Sequence, residues 1–407
     1  MDDFDYDVSI IGAGPSGSLA ATILRKKGYS VCVLEKQIFP RFSIGESLLP
    51  QCMVFMEEAG ILDTVRNACF QYKDGAVFNY RGRKEEFNFS DKSTFGYSNT
   101  FQVIRSEFDK ILIEESVKLG AELFYDTTVE NAFFSKDGAT LDVLGPDGRR
   151  EIRSKFCLDA SGYGRVLVKL LDLNLPSSLS KRISYFTHIK DNISDRNFNR
   201  ERILITVHPE YKNIWYWLIP FSNNTASIGV IGEEEDFAKH KGNNQALLQN
   251  YIRQDNYLNQ LLLNSQYDKP IQKIDGYSCG VKSLYGDSYA LLGNAGEFLD
   301  PIFSSGVTIA MKSASLAANL LDKKFQGKKV SWQKDFTEPL MLGVDTFRAF
   351  VKSWYDGDLI DIFFTESKKQ PSVKRYLNSI LAGYAWDRTN PYVLSPTRRL
   401  KVLKDIK

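Results

Sequence analysis

The segment from residue 5 to residue 36 constrains the fold of this chain more than any other part of it. Residues 7–11 (DVSII) are an apolar, β-branched run of strand length, and they end directly in a glycine turn at residues 12–17 (GAGPSG). Apolar residues then recur at helical spacing up to Gly28, and a second strand at residues 30–34 places Glu35 at its carboxyl end. The pattern predicts one βαβ unit.

Each glycine of the turn has a stereochemical role in such a unit. Gly12 permits the tight turn, Gly14 lets a pyrophosphate approach the backbone, and Gly17 lets the helix pack closely on the sheet. Amides at the helix start would bind the anion, and Glu35 lies at roughly the 20-residue separation expected of an acid that binds a ribose hydroxyl. The pattern therefore predicts that an adenine dinucleotide binds at Gly12, Gly14, Pro15, Ser16, Gly17 and Glu35. The alternative is an ordinary glycine-rich turn.

Composition excludes several other classes of function. The 407 residues carry a formal net charge of +2, which argues against nucleic acid as a partner. The five cysteines include no C-x-x-C pair and the three histidines form no cluster, so neither a disulfide framework nor a metal site is expected. The acidic start runs directly into the first strand, and no apolar stretch reaches the ~18 residues of a transmembrane helix. A cytoplasmic protein is therefore expected.

The remaining chain alternates between β-strand patterns and helical patterns. Residues 70–89 predict two strands of a separate sheet around a turn at Gly82, with Lys73 in the first strand. A helix is expected after Val103, with Ser106 as its N-cap, followed by a β-meander that begins at residues 121–125. Four β-rich runs follow between residues 183 and 231, and they indicate an antiparallel sheet.

A strand at residues 289–293 and a buried helix at residues 307–321 then return to the nucleotide-binding layer. The fold class is therefore α/β (α+β), a Rossmann-like dinucleotide-binding domain with an inserted antiparallel-sheet substrate domain and a C-terminal helical segment. The expected boundaries are 1–70, 100–180 and 275–325 for the nucleotide-binding domain, 71–99 and 181–274 for the substrate domain, and 326–407 for a helical cover.

Further candidate cofactor contacts lie in the turns that follow the predicted strands. The helix expected at residues 307–321, preceded by residues 304–306, would direct its free amides and its positive dipole at a ligand above the turn. These candidates are Arg41, Glu46, Ser47, Arg105, Asp159, Gly293, Asn294, Pro301, Ser304, Ser305 and Gly306. Alternatively, the charged loop residues are simply solvated and do not contact a cofactor. Arg105 would then cap a helix or pair with an acidic residue. Asp300 is expected to be a turn residue.

Several segments resemble the flavin-dependent halogenases and related FAD-dependent monooxygenases, which share the fold of para-hydroxybenzoate hydroxylase. Residues 215–220 match the W-x-W-x-I-P signature of these enzymes, and residues 298–306 match F-x-x-P-x-x-S-x-G, which lies beside the flavin and a halide site in that family. Residues 45–47 and 159–162 are also similar to family stretches. The resemblance covers most of residues 5–365 and implies FAD as the cofactor.

The resemblance also implies a mechanism. A flavin hydroperoxide would oxidise chloride or bromide to hypohalous acid, while Trp215 and Trp217 would keep the organic substrate away from the flavin. Residues 70–76 resemble the stretch that bears the family's lysine, so Lys73 would guide the electrophile or carry it as a haloamine. The alternatives are a solvated strand lysine at position 73 and two tryptophans that belong to the core.

Departures from the family pattern narrow the substrate. Related enzymes carry Gly-Asp where this chain has Gly293-Asn294, and no glutamate matches a substrate base. The chain is short beside the tryptophan-type halogenases, which favours a phenol, a pyrrole or a carrier-bound acyl group. Since no second dinucleotide motif is visible, a separate reductase would supply reduced flavin. The alternatives are a flavin dehydrogenase or saturase of the geranylgeranyl-reductase type, an aromatic hydroxylase, and a non-catalytic flavin-binding protein.

Overall fold

The structure, a computed structural model, describes residues 4–177, 179–238, 240–276, 278–364 and 371–405. The strands are β1 (Tyr6–Ile11), β2 (Val31–Leu34), β3 (Gln71–Lys73), β4 (Gly75–Tyr80), β5 (Arg83–Asn88), β6 (Thr100–Gln102), β7 (Glu122–Phe124), β8 (Thr128–Phe134), β9 (Ala139–Gly145), β10 (Gly148–Asp159), β11 (Asn174–Leu175), β12 (Ile183–Lys190), β13 (Arg202–Val207), β14 (Trp215–Pro220), β15 (Thr225–Gly232), β16 (Gln272–Asp275), β17 (Gly280–Val281) and β18 (Tyr289–Leu291).

The helices connect and cover these strands. They are α1 (Pro15–Lys26), α2 (Gln51–Ala59), α3 (Leu62–Asn67), α4 (Arg105–Lys118), α5 (Val166–Leu170), α6 (Glu234–Phe237), α7 (Asn244–Gln254), α8 (Asn256–Leu261), α9 (Ser305–Phe325), α10 (Glu338–Tyr355), α11 (Asp358–Phe364), α12 (Pro371–Leu381), α13 (Pro391–Leu394) and α14 (Pro396–Asp405). No helix within the described part of the chain is long and apolar enough to span a membrane.

The first sheet has the strand order β7-β2-β1-β10-β9-β8, with β18 also paired to β10. Strands β7, β2, β1, β10 and β18 are parallel, and the register pairs Ile11 with both Leu34 and Asp159. The carboxyl ends of these strands therefore meet at one edge, where ligands bind in open α/β sheets. The expected meander is partly wrong, because residues 122–124 form β7 beside β2 and only β8, β9 and the start of β10 are antiparallel.

The glycine turn joins β1 to α1, as the sequence predicts. Gly12 has a positive φ of 99°, and a Cβ atom there would lie 2.7 Å from the Ala160 carbonyl oxygen. A Cβ atom on Gly17 would lie 2.0 Å from the Gly12 carbonyl oxygen. Both positions therefore require glycine for the helix to pack directly against its own turn and the end of β10.

The second sheet has the strand order β16-β12-β15-β14-β13-β4-β5 and is antiparallel except between β13 and β4. The four predicted β-rich runs are β12 to β15, and β4 and β5 form the predicted hairpin around Gly82. Lys73 differs from the expectation, because it lies in β3, which pairs with β6 in a separate two-stranded ribbon. This ribbon directs the Lys73 side chain into the interior, where it is buried.

The start of α4 also differs from the prediction. The helix begins at Arg105 with Ile104 in the N-cap position, so Ser106 lies inside the first turn and does not cap it. In the C-terminal segment, α10 buries one apolar face with Phe347, Phe350, Val351 and Trp354, as their helical spacing predicts. This face packs into the same hydrophobic core as the first sheet, so α10 is part of the molecule's interior.

Candidate active site

A cleft of about 700 Å³ runs between the carboxyl edge of the first sheet and one face of the second sheet. A volume of this size is typical of a cofactor or small-molecule site. Most of the predicted site residues line the cleft: Gly12, Gly14, Pro15, Ser16, Glu35, Arg41, Glu46, Ser47, Arg105, Trp215, Trp217, Asn294, Pro301, Ser304 and Gly306. The fold therefore gathers residues from distant stretches of the chain around a single space.

The glycine turn and Glu35 form one end of the cleft. The Glu35 carboxylate accepts hydrogen bonds from the amides of Ala13 (2.9 Å) and Gln37 (3.0 Å), which fixes it beside the turn. Helix α1 has no acidic residue in its first turn, and no side chain of the described residues caps it. Its first amides and its positive dipole are thus available to an anion in the cleft.

Two arginines approach this end of the cleft and share one buried carboxylate. Arg105 Nε and Nη2 donate to Asp109 Oδ1 and Oδ2 at 2.8 and 2.9 Å, and Arg41 Nη1 donates to Oδ2 at 3.0 Å. Arg105 Nη1 also donates to the carbonyl oxygen of Ile44. The alternative of pairing with an acid therefore holds for Arg105, although Arg105 lines the cleft as well. Asp109 is not among the predicted site residues, although its i,i+4 spacing from Arg105 on α4 is a signal in the sequence.

Four of the predicted cofactor residues lie behind the lining. Gly17 packs on the turn, and Ser305 is buried in the first turn of α9. The Asp159 carboxylate accepts hydrogen bonds from the amides of Ser161 (2.9 Å) and Leu167 (2.8 Å), so it shapes the turn after β10. Burial raises the pKa of Asp159, and the hydrogen bonds at Ser161 oppose this rise. Gly293 has a φ of +51° and packs against Ala310 of α9.

Glu46 joins the loop after β2 to the second sheet. Its Oε1 forms a hydrogen bond with Nε2 of His188 on β12, and both side chains are buried. His188 is also not among the predicted site residues, because no motif links a loop glutamate to a histidine so far along the chain. Phe42 from the same loop packs against the rings of Phe186 and His188. One hydrogen bond and two aromatic contacts therefore join this loop to β12 of the second sheet.

The two tryptophans of β14 stand on the wall of the cleft, with ring centroids 6.0 Å apart. Trp217 is held within its own sheet, because Nε1 donates to Ser227 Oγ at 3.0 Å and the ring lies over Gly229. A Cβ atom on Gly229 would come within 2.4 Å of that ring. Both tryptophan side chains are largely buried. They therefore pack in the core, as the alternative interpretation expects, and also line the cleft.

Trp215 is held by residues outside its sheet. Its Nε1 donates to the Tyr355 hydroxyl at 2.9 Å, and that hydroxyl donates to Asp300 Oδ2 at 2.8 Å. The Arg182 guanidinium lies 3.4 Å from the centroid of the Tyr355 ring. Asp300 Oδ1 accepts from the Ile302 amide at 3.1 Å, which is the expected turn role. Burial raises the pKa of Asp300 to about 6, opposed by the hydrogen bond from Tyr355 and by Arg182.

Lys73 lies in a separate small cavity of about 20 Å³. Its Nζ donates to Ser47 Oγ at 2.7 Å and to the Leu48 carbonyl oxygen at 2.8 Å, and it lies 5.2 Å from the centroid of the Phe89 ring. Burial lowers the pKa of Lys73 to about 7. The alternative of a solvated strand lysine is therefore wrong, because the ammonium is removed from water and a substantial neutral fraction exists near neutral pH.

Three residues line both the cleft and the Lys73 cavity: Ile203, Ile205 and Ser304. They come from β13 and from the residue before α9, so the partition between the two spaces is only one layer of side chains thick. Ser47 adds a polar link, since it lines the cleft and accepts the hydrogen bond from Lys73. The amine is thus adjacent to the cleft without lining it.

The residues of the cleft fit FAD. A Cβ atom on Gly14 would project toward Arg41 Nη2 at 3.6 Å, so glycine leaves open a space between a helix amino terminus and a guanidinium. Glu35 at the same end can accept from ribose hydroxyls. At the other end, α9 begins without an acidic residue in its first turn, which again suits an electron-rich group. A long dinucleotide with an internal pyrophosphate matches this arrangement of donors.

Comparison with known proteins decides the family. A family model described as an FAD binding domain matches residues 5–253, which is more than half of the chain. The chain belongs to this FAD-binding family. It is an FAD-dependent flavoprotein oxidoreductase related to the flavin-dependent halogenases, and the predicted fold class, cofactor and resemblance are confirmed.

The relatives of this flavoprotein include enzymes named for carrier-bound substrates. It is 28% identical to the 1H-pyrrole-2-carbonyl-[peptidyl-carrier protein] chlorinase of Pseudomonas fluorescens, over 98% of this chain and 94% of the relative. It is also 28% identical to the corresponding brominase of Pseudoalteromonas luteoviolacea, over 95% of this chain and 94% of the relative.

Solved structures agree over nearly the whole chain. A flavoprotein/dehydrogenase from Cytophaga hutchinsonii matches with a TM-score of 0.95 and 42% identity, covering 98% of each chain. The flavin-dependent brominase Bmp2 matches with a TM-score of 0.85 and 26% identity, covering 98% of this chain and 99% of that one. The similarity to halogenases therefore extends through the C-terminal helices.

Proposed function

We propose that this flavoprotein halogenates an aromatic substrate, with Lys73 as the residue that receives the halogen electrophile. The proposal rests on one observation, the burial of Lys73. Burial lowers the pKa of this lysine to about 7, and only one layer of side chains separates it from the predicted flavin cleft. When bound and reduced, FAD supplies the electrons with which O₂ and a halide ion, chloride or bromide, are converted into hypohalous acid and water.

The hydrogen bonds of Lys73 suit a nucleophilic amine. A neutral amine carries two hydrogens, and Nζ donates to two acceptors, Ser47 Oγ and the Leu48 carbonyl oxygen. Its lone pair is then left for the cavity. Attack on the halogen of hypohalous acid forms an N–halogen bond and releases water. Transfer of that halogen to an aromatic carbon, with loss of the ring proton, regenerates the amine.

The partition between the two cavities supports separate places for halide oxidation and for substrate halogenation. Ile203 and Ile205 present apolar side chains and Ser304 ends the wall at the start of α9. Trp215 and Trp217 stand on the cleft side of the same sheet, so a bulky substrate is kept from the flavin while a small oxidant needs to cross only this layer.

The proposed FAD-binding domain comprises residues 1–70, 100–180 and 275–325. The proposed substrate domain comprises residues 71–99 and 181–274, and the proposed helical cover comprises residues 326–407.

The substrate class follows from the relatives and from the space at Lys73. We favour a pyrrole, a phenol or a carrier-bound aromatic acyl group, because two relatives are named for pyrrole-carrying carrier proteins. An apolar cavity of ~150 Å³ binds a benzene ring, whereas the Lys73 cavity has a volume of about 20 Å³. Lining side chains such as Phe303 and Leu381 must therefore move before a ring reaches the amine.

Halogenation assays test the proposal directly. The protein would be supplied with FAD, NADH, a separate flavin reductase, bromide or chloride, and free or carrier-bound pyrroles and phenols. Halide-dependent halogenated product is expected with the wild type, and none with Lys73→Met or Lys73→Arg, since arginine keeps the charge but does not deprotonate. Only hydroxylated product, or full halogenation by Lys73→Met, would refute the proposal. NADH oxidation without any reductase would refute the two-component arrangement.

A flavin dehydrogenase is the second candidate, because the structure from Cytophaga hutchinsonii is described as a flavoprotein/dehydrogenase. Anaerobic incubation of the reduced flavoprotein with unsaturated prenyl substrates distinguishes the two. Flavin reoxidation there, without O₂ or halide, would favour the dehydrogenase.

A further inference from the structure

Trp215 is held differently from Trp217, although both stand on β14. The Trp217 ring is fixed by Ser227 and Gly229 of the neighbouring strand. Trp215 depends on the last residue of α10, because its only indole N–H donates to Tyr355. The position of one wall of the cleft is thus set by the C-terminal helical segment.

The hydrogen bonds around Tyr355 have a fixed direction. An indole N–H only donates and a carboxylate only accepts, so the Tyr355 hydroxyl must accept from Trp215 and donate to Asp300. The ring is held from its face by Arg182, whose guanidinium donates to the Asn213 carbonyl at 3.0 Å and to Glu233 at 3.1 Å. Tyr355 therefore has little freedom to rotate away.

We infer that Tyr355 is a positioning residue that holds the Trp215 indole in the cleft and thereby keeps water and organic molecules from the flavin region. The Trp215 clamp consists of Trp215, Tyr355, Asp300 and Arg182. Asp300 lies directly before Pro301, which lines the cleft, so the clamp joins the flavin-facing turn, the second sheet and α10. The expected effect of Tyr355 on the halogenated product rests on the proposed function. The contact between Tyr355 and the Trp215 indole rests on the geometry alone.

Loss of the clamp has a defined chemical consequence. In the coupled reaction, reduced FAD, O₂, a halide ion and a proton give FAD, hypohalous acid and water. Without halide oxidation, reduced FAD and O₂ give FAD and hydrogen peroxide. Tyr355→Phe removes the acceptor of a buried indole N–H, which favours other orientations of Trp215. We expect the molar ratio of halogenated product to peroxide to fall about tenfold, a population change that corresponds to about 1.4 kcal/mol.

The contact can be measured in the full chain without FAD. The protein has five tryptophans, so ¹⁵N labelling of the indoles gives five resonances, and Trp215→Phe assigns the relevant one. Tyr355→Phe is expected to shift the Trp215 resonance. The matched control is Tyr384→Phe, which removes another tyrosine hydroxyl of the C-terminal segment, one that donates to the Tyr97 carbonyl at 3.0 Å and does not line the cleft. The control should leave the Trp215 resonance in place.

A double-mutant cycle separates positioning from general destabilisation. If Tyr355 acts through Trp215, then Tyr355→Phe has no further effect on the product ratio in a Trp215→Phe background. Additive effects, or an unchanged resonance and ratio in Tyr355→Phe, would overturn the inference. If Tyr355→Phe does not fold, Asp300→Asn provides the same resonance and ratio measurements with the tyrosine in place. Peroxide alone from the wild type would refute the proposed function, and the resonance would still decide the clamp.

Discussion

The buried amine of Lys73 predicts a specific pH dependence of stability. Burial lowers its pKa from 10.5 to about 7, and a difference of this size corresponds to roughly 5 kcal/mol between the protonated and neutral forms. Between pH 7 and 10.5 the unfolded chain binds a proton at this residue that the folded chain has released. Stability must therefore rise with pH across this window, and the contribution is lost as pH falls toward 7.

Lys73→Met isolates this contribution. For the wild type, the lysine alone should raise the free energy of unfolding by roughly 2 kcal/mol between pH 7 and pH 9. The methionine variant lacks that rise, so its stability relative to the wild type should be highest near pH 7 and should decrease by about that amount at pH 9. The absolute difference at pH 7 also contains the cost of leaving Ser47 Oγ and the Leu48 carbonyl without their donor, about 1–3 kcal/mol for each unsatisfied group.

Guanidinium unfolding of the FAD-free protein, followed by circular dichroism at pH 7, 8 and 9, measures this difference. Lys110→Met on the exposed side of α4 is the matched control, since Lys110 is half exposed and forms an i,i+4 pair with the exposed Glu114. The control should change stability by less than about 0.5 kcal/mol at each pH. A difference between wild type and Lys73→Met that does not vary with pH would refute the assignment of a neutral amine.

Other predictions concern the cleft and its partition. Ile205→Trp should block the layer shared by the two cavities, so hypohalous acid should appear in solution while substrate halogenation falls at least tenfold, measured with a dye that traps free oxidant. Ser47→Ala removes an acceptor that favours the charged form of Lys73, so the acid limb of the halogenation profile should move to lower pH. Gly17→Ala places a Cβ atom 2.0 Å from the Gly12 carbonyl and should abolish FAD retention in gel filtration. Gly229→Ala should displace Trp217, visible as a shifted indole resonance, because the added atom lies 2.4 Å from its ring.

Local patterns were sufficient for the nucleotide-binding half of the fold. The strand at residues 7–11, the glycine turn and the position of Glu35 are adjacent in the chain, so spacing alone predicts their geometry. The resemblance added Trp215, Trp217 and Pro301, which all line the cleft. Errors arose where pairing partners are distant: β7 joined the parallel sheet and β3 paired with β6, because register depends on which strand edge is free in the folded chain.

The sequence by itself determined the βαβ unit, its glycine requirements and the motifs that indicate FAD, because those features depend on neighbouring residues and on backbone stereochemistry. Only the tertiary structure decided that Lys73 is buried and lowered in pKa, that Asp109 joins Arg41 to Arg105, and that Tyr355 reaches Trp215. The packing of whole elements sets the hydrogen bonds between residues 26, 68 and 140 positions apart, which are those of Lys73 with Ser47, Arg41 with Asp109, and Trp215 with Tyr355. The sequence next to each of these residues does not contain that information.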